Sequence, residues 1–164
     1  DLYFVDRPGQ AEGWDGVMQR LEEAAAEQRL PTSADRALWD EVTQAVLAVL
    51  PEAEVSNADR CRQVDDGGVV LLSMFPGEIS INTPCWFEGE QAKQAVDRLK
   101  TVAEAIEEAT GLVAYDPQSD SAFLGGGADT APATFDRMRD FMANELGVEP
   151  VAAPKRPRWA FWRR

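Results

Sequence analysis

The stretch CRQVDDGGVVLLSMFPGEISIN, residues 61–82, decides the fold. Asp66-Gly67 is a hairpin signal between two β-prone runs, Cys61–Val64 and Val69–Phe75. Val69–Met74 is nearly all apolar, as expected of a strand covered on both faces. Pro76-Gly77 makes the next turn. Ile79, Ile81 and Thr83 then alternate with Glu78, Ser80 and Asn82, the period-2 spacing of a half-buried strand. Residues 61–83 therefore predict an antiparallel meander of three strands.

Upstream of the meander the period changes to 3.6. Trp14, Val17, Met18, Leu21, Ala24 and Ala25 share one helical face over residues 11–29, with Glu22, Glu23 and Glu27 opposite. Pro31 ends this helix. Thr32, three residues before Asp35, reads as a capping box that opens a second helix. Leu38, Val42, Ala45, Val46 and Val49 form its stripe, with Trp39 on the flank and Pro51 as the stop. Before both helices, Leu2-Tyr3-Phe4-Val5 has strand composition and is closed by Arg7-Pro8-Gly9.

Downstream, Ala92, Ala95, Val96, Leu99, Val102, Ala103 and Ile106 mark a helix over Glu90–Thr110, with Gly111 as its terminator. Leu112–Tyr115 predicts a short strand closed by Asp116-Pro117. Ser119–Asp129, which contains Gly125-Gly126-Gly127, predicts a loop. Phe135, Met138, Phe141, Met142 and Leu146 predict a last helix between Pro132 and Gly147. The order is strand, two helices, three strands, helix, strand, helix. It predicts an α+β domain over residues 1–147, with helices packed on a mainly antiparallel sheet. A split β-α-β arrangement of the ferredoxin-like kind fits that order, and the strand order is left open. Residues 148–164 read as a Pro/Ala-rich linker and a basic-aromatic tail.

Composition excludes several kinds of chemistry. The chain has 164 residues and no histidine, which removes Ser-His-Asp and Cys-His catalysis, His-ligated metals and a histidine pH switch. Asp116-Pro117-Gln118-Ser119-Asp120 lacks the alternating acidic pattern and distal Glu of a calcium loop. Gly125–Gly127 has neither the lysine nor the spacing of a phosphate loop. Asp65-Asp66 is explained by the hairpin, and Glu107-Glu108 are helix neighbours that do not face each other. The expectation is a chain without enzymatic activity, cofactor or metal. Cys61 and Cys85 are too few for a disulfide framework. Cys85, beside Trp86 and Phe87, is expected as a small buried hydrophobe. No hydrophobic leader opens the chain, and the longest apolar run falls far short of a membrane span of ~20 residues. A cytoplasmic location is expected.

Charge supplies the positive signal. Sixteen basic residues face 29 acidic ones, a net charge of −13. Five of the bases, Lys155, Arg156, Arg158, Arg163 and Arg164, lie in the last ten residues, so residues 1–154 carry −18. Such a body repels nucleic acid and anionic lipid and attracts basic partners; an acidic surface also serves solubility. In the tail, Trp159, Phe161 and Trp162 fall within four residues among arginines. Aromatics at that density mark a contact, either with the chain's own acidic body or with a partner.

One segment carries a family resemblance. Thr110-Gly111-Leu112-Val113-Ala114-Tyr115-Asp116-Pro117-Gln118, with the opening Leu2-Tyr3-Phe4-Val5 and the step Thr83-Pro84-Cys85-Trp86, resembles small bacterial proteins with a TGL-x-x-YDPQ signature. Some of these are similar to immunity proteins of polymorphic toxin systems. Cys85 stands where some of those proteins carry an aromatic. The resemblance implies a protein that neutralises a cognate toxin by binding it, and it transfers no catalytic residue. Together with the charge, it makes the expected partner a protein, most concretely a basic toxin domain, with neither nucleic acid nor membrane as a target. Asp116, Gln118, Asp120, Trp159, Phe161 and Trp162 are the expected contact residues. Two other readings stay open: an adaptor that works through its aromatic tail, and a small-ligand binder or hydrolase built on the Tyr115–Asp120 loop.

Overall fold

The computed structural model describes residues 1–6, 13–27, 29–84 and 87–127. Cys85, the helix expected over 132–147 and the tail lie outside the described residues, as do the side chains of Trp14, Met18 and Ala25.

Among the described residues seven strands form one sheet. They are β1 (Leu2–Val5), β2 (Glu54–Asn57), β3 (Arg62–Asp65), β4 (Leu71–Phe75), β5 (Glu78–Asn82), β6 (Val113–Asp116) and β7 (Ser121–Ala122). The spatial order is β2-β3-β4-β5-β1-β6-β7. Every pairing is antiparallel, with Leu2 opposite Ile81 and Phe4 opposite Ala114 at the centre. The helices are α1 (Gly13–Glu27), α2 (Ser33–Val49) and α3 (Gly89–Thr110). A single π-turn spans Phe123–Gly127. The protein is α+β, with helices packed on an antiparallel sheet.

The strand order explains how the chain crosses over. β1 and β4 run parallel with β5 between them, and β5 and β6 run parallel with β1 between them. Helix α2 belongs to the first crossover and α3 to the second. These are two interleaved split β-α-β units, and they place the two helices side by side on one face. The β2–β3 hairpin extends one edge of the sheet and β7 the other.

Side-chain alternation separates two apolar clusters. On the helical face, Leu2, Phe4, Val64, Leu72, Met74, Ile79 and Ile81 meet Val42 and Val46 of α2 and Val96, Leu99, Val102 and Ile106 of α3. The stripe expected on α3 is buried along its whole length. On α2 the structure corrects the reading. Trp39 is a central core residue rather than a flank, while Leu38 and Val49 are only half-buried. The capping box is present: the Asp35 N–H donates to Thr32 Oγ1 at 3.2 Å, and the Thr32 N–H donates to Asp35 at 2.7 Å. On the other face α1 seats Val17 and Leu21 against Val5 and Tyr115.

Three strand expectations change. The β3–β4 hairpin is present, but β4 starts at Leu71 rather than Val69, and residues 66–70 form a loop closed by the Asp66 N–H donating to the Val70 carbonyl. The segment read as a loop from Ser119 holds the short strand β7 and the π-turn. The meander also has a fourth strand, β2, which the sequence reading missed. All four of its residues are exposed, so no apolar alternation marks it.

Gly77, in the β4–β5 turn, has φ +86°, and a Cβ there would lie 3.0 Å from the Ala24 Cβ of α1. Gly67 has φ +78° and open space around it. Gly67→Ala should therefore cost the backbone strain alone, about 1 kcal/mol. Gly77→Ala adds overpacking and should cost about 2–3 kcal/mol. Urea unfolding of the two variants tests this, and equal losses would contradict the seating of α1 on the turn.

Candidate partner-binding surface

The β6–β7 turn gathers three of the six expected contact residues. Tyr115 and Asp116 end a strand whose four residues are all buried, and the chain then reverses through Pro117–Asp120. Asp116 Oδ1 accepts the Gln118 N–H at 2.9 Å, and Oδ2 accepts the Ser119 hydroxyl at 3.0 Å. Asp116 is buried and holds its own turn in shape. Asp120 adopts φ 47°, a conformation that aspartate tolerates better than most residues, and its carboxylate accepts the Tyr115 hydroxyl. Burial raises the Tyr115 hydroxyl pKa, and the hydrogen bond to Asp120 and the nearby charges of Asp120, Asp116 and Asp15 add to it. Gln118 and Asp120 stand exposed at the tip. Trp159, Phe161 and Trp162 lie outside the described residues.

The other carboxylates sort into those the fold uses and those it does not. Asp66 is the most committed. Its Oδ1 accepts the N–H groups of Gly68, Val69 and Val70 at 2.9, 2.8 and 3.0 Å, and its Oδ2 takes Arg98 Nε of α3 at 2.5 Å. Burial alone would raise its pKa, but the three amides and the Arg98 charge outweigh burial and hold it below the usual carboxylate range. Arg98 also pairs with Glu52. Asp35 is held well below that range, chiefly by the Arg29 guanidinium and then by Thr32. Glu107 accepts the Ala114 N–H at 2.8 Å and ties α3 to β6.

Glu90, Asp97, Glu104 and Glu108 instead line the exposed side of α3, and Asp40 and Glu41 that of α2. Lys93 pairs with Glu90 at 3.6 Å and Arg62 with Asp40 at 2.6 Å. Like charges at i, i+4, such as Glu104 and Glu108, cost the helix a few tenths of a kcal/mol.

A cleft of about 390 Å³ opens between α1, α2 and the β4–β5 turn. Phe4, Leu21, Leu38, Trp39, Phe75 and Ile79 make its walls, and Asp6, Arg20, Asp35 and Glu78 its polar edge. No local pattern marks it, because its walls come from five separate elements. Among the described residues no three carboxylates or thiols converge into a metal-sized cage, and no helix is long and apolar enough to cross a membrane.

Comparison of the chain with protein-family models, with curated proteins and with solved structures returns no match.

Proposed function

We propose that the chain is a non-enzymatic acidic binding protein, an immunity protein that neutralises a cognate bacterial toxin by direct, stoichiometric contact in the cytoplasm. The observation that carries this reading is the surplus of carboxylates on exposed positions that the fold does not use for its own support. Asp97, Glu104 and Glu108 on α3, Glu41 on α2 and Glu54 on β2 are all exposed. With −18 over residues 1–154, a cationic partner is drawn in from several nanometres at low salt. Such a field raises the encounter rate more than the affinity. The signature around Tyr115–Gln118 points to the same class of partner.

The reading predicts a toxin domain in a neighbouring reading frame, and the test is co-expression of that domain with the chain. Cells carrying the toxin alone should stop growing, and cells carrying both proteins should grow as the uninduced control does. Continued arrest with both proteins present at equal levels would sink the reading.

A further inference from the structure

We infer that the edge of β2 that no described strand pairs with is where the partner attaches, taken up as an extra strand formed by an extended, basic segment of that partner. This rests on the reading above. The geometry begins with the β2–β3 register, in which Glu54 faces Asp65 and Asn57 faces Arg62. The Ala58 N–H donates to the Cys61 carbonyl at 2.9 Å, so Ala58, Ser56 and Glu54 turn their amides toward β3. In an antiparallel pair the intervening residues point the other way. Val55 and Asn57 therefore present N–H and C=O groups outward, ready for another strand.

Side chains say what kind of strand fits. Glu54 and Asp65 are like charges placed directly opposite each other, an arrangement that disfavours the pair. Among the described residues Glu54 has no ion-pair partner. A lysine or arginine in the added strand, on the same face as Glu54, supplies the missing cation. Val55, 39% exposed, offers an apolar contact on the opposite face. A second copy of this chain is a poor occupant, because it would bring another Glu54 and Asp65 against the first pair and −13 against −13.

Two variants separate this surface from the rest. Val55→Pro removes an outward N–H and leaves the β2–β3 ladder intact. Glu54→Lys removes the complementary charge and relieves the repulsion with Asp65. The probe is the purified toxin domain that the co-expression test identifies. Each variant should lower its affinity at least tenfold, with the melting temperature unchanged for the first and unchanged or raised for the second. In the wild-type complex, amide exchange at Val55 and Asn57 should slow. Gln94→Ala, at an exposed and uncharged position of α3, should leave affinity within about twofold. Wild-type affinity in both β2 variants would overturn the edge assignment while leaving the immunity reading standing. No binding by the wild type would end both. A concentration-dependent dimer through β2 without the toxin would assign the edge to a second copy instead.

Discussion

Asp66→Ala should destabilise the protein by about 3–4 kcal/mol, lowering the melting temperature by roughly 10 °C. The Asp66 side chain is 2% exposed and does two jobs with two oxygens. Oδ1 gathers the amides of Gly68, Val69 and Val70, which otherwise point into a loop with no other acceptor for them. Oδ2 anchors Arg98, and so clamps α3 to the β3–β4 loop. Alanine leaves both jobs undone. Asp66→Asn keeps an oxygen for the amides and loses only the charge on Arg98, so it should cost less than half as much. The depressed pKa of Asp66 also fixes the sign of a pH effect. Its stabilisation is present above the unfolded carboxylate value of about 3.9 and is lost as pH falls through the lower folded value. Asp35 acts in the same direction. Asp66→Ala should therefore flatten the acid side of the stability profile. Equal losses in the Ala and Asn variants would show that the clamp on Arg98, not the amide nest, carries the effect.

The second large effect is kinetic. Association with a basic toxin domain should slow by one to two orders of magnitude between about 20 mM and 500 mM salt, while dissociation changes little. The Debye length falls from ~10 Å at 0.1 M to ~3 Å at 1 M, so long-range attraction vanishes and short contacts persist. Replacing Asp97, Glu104 and Glu108 together by neutral glutamine or asparagine should reproduce part of that loss at low salt and leave the fold intact, since all three are exposed on α3. Stopped-flow mixing across a salt series measures both. An association rate independent of salt would remove charge as the basis of encounter.

Legibility in the sequence followed burial. The stripe on α3 was fully readable because each of its apolar positions is covered, from Ala92 to Ile106. The capping box at Thr32 and the glycine stop at Gly111 depend on neighbours in sequence and were equally plain. Trp39 was misjudged because the buried stripe, Trp39, Val42, Thr43 and Val46, is rotated from the apolar one and passes through the polar Thr43, whose hydroxyl donates to the Trp39 carbonyl. β2 was invisible because an exposed edge strand carries no alternation. The loop after β3 runs on through Val69 and Val70, which read as strand because they are apolar. Its longer form depends on Arg98, 32 residues away. The expected contact residues in the β6–β7 turn divide in the same way. Asp116 is spent on its own turn, and Gln118 and Asp120 remain exposed. The cleft and the open edge of β2 arise from strand order, which no local pattern records.

The proposed mode of action is occupation of a toxin and not its transformation. Titrating the purified toxin domain with increasing amounts of the protein, while following the toxin's own activity, separates the two. Occupation should give a linear loss of activity that ends at one molecule per toxin, with both chains recovered at unchanged mass. Inhibition that is complete at a small fraction of an equivalent, with a covalent change on the toxin, would contradict it, as would full toxin activity in the presence of excess protein.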